Sequence, residues 1–206
     1  MKTRLRAVAV SVFAASVALT ACGDPAQDTE DPTDDPAAQD EQTETANADY
    51  NDADAEYASG MILHHEQAVE MSDILLQTDD ADPEVSALAE DIRAAQQPEI
   101  EQMESWLDTW GHEPDGDHGD HGGMMDDGGH EGMMSEDDLE NLESAEGDEA
   151  SRLFLDQMII HHEGAVSMAE EHLETGQNPE ALELSENVIS DQSAEIDEME
   201  EMRDSL

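Results

Sequence analysis

The sequence predicts an all-α fold, an antiparallel four-helix bundle made of two tandem helical hairpins. One observation is an internal repeat: Met61–Met71 (MILHHEQAVEM) returns as Met158–Met168 (MIIHHEGAVSM), with eight of eleven positions identical. A second observation is that each copy is followed by Gln-x-x-Glu-Ile-x-x-Met, once from Gln96 and once from Gln192. The chain is therefore interpreted as a duplicated unit of two helical segments.

Residues 1–22 are expected to be an export signal rather than part of the fold. Three basic residues within the first six positions precede an apolar stretch of signal-peptide length, too short for an ordinary membrane span. The run Leu19–Cys22 (LTAC) resembles a bacterial lipobox, which implies cleavage before Cys22 and lipidation of its thiol. The prediction is an extracytoplasmic protein, lipid-anchored to the bacterial cell membrane. The alternative is an ordinary secreted protein with a stray cysteine.

Residues 23–49 are predicted to form a disordered acidic tether, because they contain almost nothing large and apolar to bury. All 56 acidic residues lie after Cys22, against three arginines there. Binding to nucleic acid or to anionic lipid head groups through charge is therefore disfavoured. The charge fits either a high-salt habitat or simple solubility. Since Cys22 is the only cysteine, no internal disulfide is expected.

The folded domain is expected to span residues 50–206. Its first helix should begin near Asp49 and end near Gln77. At 100° per residue, seven of its residues share one face about 120° wide, the width of a core-facing stripe. These are Tyr57, Met61, His64, His65, Ala68, Met71 and Leu75. A turn follows, in which Asp82 can cap a second helix that starts at Pro83 and ends near Trp110.

Residues 111–134 form a loop rich in glycine, histidine and methionine, which excludes regular structure. Short His-rich tracts often bind metals, but a flexible surface loop has the same composition. The residues of this secondary metal site would be His112, His118, His121, Met124, Met125, His130, Met133 and Met134. We expect this loop to connect the two hairpins within the folded domain.

The second hairpin follows a short helix that Ser135 and Asp138 open as a capping box. Its first helix should run from about Asp148 to Thr175. Gly176 ends that helix, and the last helix starts after a cap at Asn178 and continues to the C-terminus.

A two-fold relation between the hairpins would place the first and third long helices diagonally, with both His-His pairs in one layer. In an antiparallel hairpin, residues equidistant from the turn lie at the same height. This places Gln96 level with His64, Glu99 with Met61, Gln192 with His161 and Glu195 with Met158. The repeated residues are therefore expected to converge at one level of the bundle.

Imidazole nitrogen together with thioether sulfur favours copper, because Cu(I) prefers methionine and Cu(II) prefers histidine. The predicted ligands are Met61, His64, His65, Met71, Met158, His161, His162 and Met168. Glu99 and Glu195, with Gln96 and Gln192 beside them, are predicted to orient the imidazoles from behind. A methionine stripe at helical spacing is also what ordinary core packing gives. Four buried imidazoles are costly without a role, which favours the metal interpretation.

The tandem Met-x-x-His-His-Glu-x-Ala-Val-x-Met segments, each followed by Gln-x-x-Glu-Ile-x-x-Met, resemble a bacterial secreted family called domain of unknown function 305. The resemblance covers about residues 50–206 and implies a ferritin-like four-helix bundle. Some members are periplasmic copper-binding proteins that use methionine and histidine, which the resemblance carries onto the eight residues named above. The acidic tether and the extreme charge are not part of the family pattern.

The sequence therefore predicts a membrane-anchored, non-enzymatic copper-binding protein that sequesters copper or hands it on. Two alternatives stay open. A di-iron oxidase of the ferritin-like kind would need Glu-x-x-His on two helices, and neither His-His pair has a glutamate three residues upstream. A structural or partner-binding lipoprotein without metal is the other alternative.

Overall fold

The computed structural model describes residues 49–112 and 131–206, and all regular structure in these ranges is helical. The helices are α1 (Asp52–Gln77), α2 (Pro83–Trp110), α3 (Glu136–Ser144), α4 (Gly147–Thr175) and α5 (Pro179–Ser205). The predicted all-helical bundle is confirmed, and the predicted long helices begin and end close to these residues.

Residues 1–48 and 113–130 lie outside the described ranges. The predictions of a signal peptide, a lipidated Cys22 and an acidic tether concern the first of these segments. Within the described ranges, no helix combines the length and the apolar character that a membrane crossing needs.

Side-chain caps fix where three of the four long helices, α1, α2 and α5, begin. Asp82 accepts from the N–H groups of the first turn of α2, and Asn178 does the same for α5, as the sequence predicts. The first turn of α1 has a capping box in which Asn51 and Asp54 exchange side-chain to backbone hydrogen bonds. These bonds satisfy N–H groups that a helix start otherwise leaves without a partner.

Helix α1 packs against α2 and helix α4 against α5, as two hairpins. Helices α1 and α4 also pack directly against each other and run antiparallel. At one end, Asp54 of α1 contacts His172 near the end of α4, and at the other, Gly147 at the start of α4 donates to the Asp79 carbonyl just beyond α1.

The predicted diagonal placement of α1 and α4 is wrong, since they are direct neighbours. Helices α2 and α5 approach each other on the other side, where Trp106 Nε1 donates to Glu180 Oε2 at 3.3 Å. The two helices that carry the His-His pairs are therefore antiparallel neighbours.

The hydrophobic core is divided into two clusters, one toward each end of the bundle. Core A lies where α1 and α5 begin, and core B lies where α2 and α4 begin. Core A includes Tyr57, Met61, Trp106, Trp110 and Leu184, and core B includes Met71, Leu75, Phe154, Met158 and Met199. A polar level separates the two cores. Helices α1 and α4 contribute their His-His pairs to it, α2 contributes Gln96, and α5 contributes Gln192.

Candidate metal centre

The four repeated histidines lie together between core A and core B. Relative exposure is 1% for His64 and 0% for His65, His161 and His162. The rings of His64 and His161, one from each copy, have centroids 3.8 Å apart, and the His161 and His162 centroids are 6.3 Å apart. All seven residues of the predicted face of α1 are buried. The fold thus gathers both His-His pairs at one level, in contact across the α1–α4 seam.

A glutamate holds the second histidine of each copy. His65 Nε2 lies 2.7 Å from Glu99 Oε2, and His162 Nε2 lies 2.7 Å from Glu195 Oε2. The carboxylate favours the tautomer in which Nε2–H donates, which leaves the lone pair on Nδ1. Neither Nδ1 atom has a hydrogen-bond partner among the described residues. The orienting role of the two carboxylates toward metal ligands stays a prediction, now with a defined geometry.

The two central rings, His64 and His161, have the fewest hydrogen-bond partners for their ring nitrogens. His64 Nε2 lies 3.3 Å from the carbonyl oxygen of Glu131, while its Nδ1 and both nitrogens of His161 have no described partner. Burial, and to a smaller extent the neighbouring His65, lower the pKa of His64 to about 3. Burial also lowers the pKa of His161 well below its ordinary 6.5. Both imidazoles are therefore neutral at neutral pH, which is the form that binds metal ions.

Unpartnered polar atoms are concentrated at this level. Five imidazole nitrogens and the Oε1 atoms of Gln96 and Gln192 have no partner among the described residues. Native interiors leave few such atoms, and a bound ion or water is the usual explanation. Within the two described ranges, no three His, Cys, Asp or Glu side chains already converge as a metal site. The donor chemistry fits a soft or borderline metal ion, and the rings must reorient to share one.

The predicted methionine ligands lie on both sides of the histidines. Met61, Met71 and Met158 are fully buried, whereas Met168 is partly exposed. Because α1 and α4 are antiparallel, Met61 and Met168 pack in core A, and Met71 and Met158 pack in core B. The four imidazoles therefore lie at one level of the bundle, with methionine sulfur atoms on the core A side and on the core B side. The eight predicted ligands offer more than one set of donors.

The predicted loop site falls mostly outside the described residues, including His118, His121, Met124, Met125 and His130. His112 is exposed at the end of α2, with its ring edge-on to Tyr50 at 6.0 Å. Met133 and Met134 are half-buried. The backbone of Met134 is held on both sides by the Gln67 amide, which accepts from its N–H at 2.7 Å and donates to its carbonyl at 2.9 Å.

Residues 131–134, here called the strap, lie across the seam beside His64, and the sequence analysis missed this. Gly132 has φ +80°, and a Cβ there would lie 2.7 Å from a backbone carbonyl oxygen of α4. A Cβ on Gly164 would lie 2.1 Å from the Glu131 carbonyl oxygen. The close approach of the two backbones therefore requires both glycines. The available signal was the repeat itself, since Gly164 stands where the first copy has Gln67.

The sequence analysis also missed a fifth buried histidine, His172. Its Nδ1 lies 2.7 Å from Ser185 Oγ, its Nε2 lies 3.0 Å from Asp54 Oδ1, and its ring stacks on Tyr57 at 4.1 Å. Asp54 Oδ1 also accepts from the N–H groups of Gln177 and Asn178. We call this group the Asp54–His172 lock. The repeat gave no signal for it, because the position equivalent to His172 in the first copy is a leucine.

Fold and site together define a class: helical bundles with a buried histidine centre flanked by methionines. The chain belongs to the DUF305 family, a domain of unknown function, whose family pattern matches residues 54–203. The resemblance stated from the sequence is thereby confirmed. No curated protein matches this chain.

Several solved structures are similar to the chain. A candidate secreted DUF305 protein from Streptomyces coelicolor is 33% identical, with a TM-score of 0.66, over 73% of this chain and 89% of that one. A DUF305 fragment from Deinococcus radiodurans is 29% identical, also at TM-score 0.66, over 76% of this chain and 98% of that one. CopM in its Cu(II)-bound form is 31% identical at TM-score 0.61, over 74% of this chain and 96% of that one. CopM has also been solved with Cu(I) and with silver.

Proposed function

We propose that this protein is a non-enzymatic, extracytoplasmic copper-binding protein that sequesters copper or hands it on. The observation that carries the proposal is the group of five buried imidazole nitrogens without a partner between the two cores. A bound copper ion would satisfy such donors, which in a merely structural layer cost stability. The similarity to CopM, a protein solved with Cu(I) and Cu(II), supports copper as the metal.

The donor types divide between the two oxidation states. Neutral imidazole suits Cu(II), and thioether sulfur suits Cu(I). Nδ1 of His65 and of His162 is the available ligand atom in each ring, because Glu99 and Glu195 occupy Nε2. Met61, Met71, Met158 and Met168 would hold Cu(I), and the four histidines of the repeat would hold Cu(II). A di-iron centre fits less well, because the described layer offers two carboxylates and both are engaged by imidazoles.

The proposal includes a lipid anchor at Cys22, supported by the lipobox-like LTAC run and the apolar stretch before it. Cys22→Ser should release the protein from the membrane fraction. Wild-type protein that is fully soluble after lysis without detergent would contradict the anchor while leaving the copper proposal intact.

The copper proposal is tested in a background without the predicted loop ligands. In it His112, His118, His121 and His130 are replaced by Gln, and Met124, Met125, Met133 and Met134 by Leu. Replacing the four histidines of the repeat by Gln should abolish Cu(II) binding and only weaken Cu(I) binding. Replacing the four methionines of the repeat by Leu should do the reverse. That exchange nearly conserves volume and costs under about 1.5 kcal/mol per site. Cu(II) is titrated by visible absorption, and Cu(I) by competition with a chromophoric chelator.

The matched control is Met103→Leu with Met199→Leu, since both methionines are fully buried and neither is a predicted ligand. This control should bind both oxidation states as the parent does. Unchanged binding in the histidine and methionine variants would mean that these residues are ordinary core. The partner-binding alternative would then be the better account.

A further inference from the structure

The two copies of the eleven-residue repeat differ at three positions, and two of these differences lie where the strap docks. Gln67 is replaced by Gly164, and Glu70 by Ser167. In the first copy, Gln67 binds the backbone of Met134 through two hydrogen bonds. In the second copy, Gly164 leaves room for the strap backbone, and Ser167 Oγ donates to a Glu131 carboxylate oxygen at 3.2 Å. The third difference, leucine against isoleucine, conserves side-chain character.

The strap therefore breaks the two-fold symmetry of the histidine centre. The glutamate contacts of His65 and His162 are the same in both copies. The two central rings differ, because the Glu131 carbonyl is near Nε2 of His64, whereas His161 has no partner in the described residues. The Glu131 carbonyl takes Nε2 of His64 and leaves its Nδ1 without a described partner, but this carbonyl belongs to a segment that lies against both α1 and α4 and covers the ring.

We propose that the strap is a gate on the histidine centre. In the metal-free protein its Glu131 carbonyl occupies His64 Nε2, and the strap lifts from α1 and α4 before copper reaches His64 and His161. This inference rests on the proposed copper-binding function and adds a step that controls loading. Gln67 is the latch, since its amide holds both the N–H and the carbonyl of one strap residue.

The proposal has a quantitative consequence. If copper binds only when the strap is open, the rate of uptake and the apparent affinity both scale with the open fraction. Removing the latch raises that fraction without changing the bound state. Uptake should therefore become faster and binding tighter by the same factor, while the rate of release stays unchanged. A residue with a merely structural role would weaken binding when removed.

The test compares wild type with Gln67→Ala and Gly164→Ala. The first removes the latch, and the second adds a Cβ where the Glu131 carbonyl lies. Alanine is a better helix former than glycine, so the Gly164→Ala substitution should disturb the strap rather than α4. The matched control is Gln157→Ala, since Gln157 also donates to a backbone carbonyl of the connection, that of Asp138, at 2.9 Å.

Stopped-flow uptake of Cu(II), followed by visible absorption, should be about ten-fold faster in both strap variants. Apparent affinity should rise by the same factor, with the control at the wild-type rate. Uptake and affinity that are unchanged or lower in both strap variants would overturn the gate. Absence of copper binding in wild type would overturn the proposed function together with its gate.

A second measurement needs no metal. Diethyl pyrocarbonate modifies accessible neutral imidazoles, and peptide mass spectrometry locates the modified residue. His64 should be modified more slowly in metal-free wild type and in Gln157→Ala than in Gln67→Ala. Equal protection of His64 in the latch variant would show that Gln67 does not hold the strap closed, and would overturn the latch even if copper binds.

Discussion

The Asp54–His172 lock and the histidine centre are both built from buried imidazoles, yet they are satisfied in opposite ways. Both ring nitrogens of His172 have partners, in Ser185 and Asp54. At the histidine centre, five of eight ring nitrogens have none among the described residues. Burial alone therefore does not separate a structural histidine from a candidate ligand, whereas the count of satisfied nitrogens does.

The pKa directions do not distinguish the two places either. Burial lowers the pKa of His172, against the opposing effect of the Asp54 carboxylate. Burial by itself would raise the pKa of Asp54, but hydrogen bonds from Asn51, Asn178, Gln177 and His172 bring it below its ordinary 3.8. A charged Asp54 beside a neutral His172 is thus held by specific donors. At the histidine centre, His64 and His161 are desolvated without comparable hydrogen bonds.

The largest expected difference between the two places is in stability. Asp54→Ala should lower the free energy of unfolding by roughly 3–5 kcal/mol, because it leaves several buried donors without an acceptor. His64→Leu removes a ring that has one long hydrogen bond among the described residues, and should lower the free energy of unfolding by less than about 1 kcal/mol. Urea unfolding of the metal-free proteins measures both. Equal losses in the two variants would show that the histidine centre is as structural as the lock.

The second prediction concerns pH. The folded-state pKa of His64 is about 3, below its unfolded value of about 6.5, so the unfolded chain takes up the proton first. Stability should therefore fall as pH drops from 6.5 toward 3, by about 2 kcal/mol for His64 at pH 5. His161 adds a loss of the same sign. Unfolding midpoints of metal-free protein between pH 7 and 5 test this, above the range where most carboxylates titrate.

The comparison that isolates these two residues is the double variant His64→Gln with His161→Gln. It should lose less stability over the same pH range than wild type does. A His172 variant is not expected to lose less stability in this way, because it loses the contacts of the Asp54–His172 lock as well as a titrating imidazole. Parallel pH curves for wild type and the double variant would contradict the assignment of buried, neutral rings at the centre.

The smallest expected effect concerns the carboxylates behind the centre. Glu99→Gln and Glu195→Gln keep a hydrogen-bond acceptor but remove the charge that favours Nδ1 as the ligand atom. Each should lower Cu(II) affinity by about 10–100-fold with little change in stability. Glu66→Gln is the matched control, because Glu66 is exposed beside His65 and has no part in the centre. An equal effect of all three would indicate a general loss of negative charge instead.

The repeat and the helical periodicity were enough to predict the helices, the buried face of α1 and the meeting of both His-His pairs. They did not predict that α1 and α4 are neighbours. Distances from the turn show which residues of one hairpin lie at the same level, but they do not show how the two hairpins are oriented toward each other. The docking of the strap was not predicted for a related reason. Gln67 and Gly164 acquire a role only through a long-range contact with the strap backbone. His172 lacked any repeat partner, so nothing in the pattern marked it.

The Asp54–His172 lock also has a mechanical consequence. Any pull on the segment before residue 49 enters the bundle at the start of α1. There Tyr50 stacks on Trp110 at 4.8 Å, Asn51 donates to the Thr175 carbonyl, and Asp54 ties into the α4–α5 turn. The force is therefore shared among α1, α2 and α4 within the first turn, before it reaches the histidines. The bundle is therefore reinforced at the end where the chain enters α1.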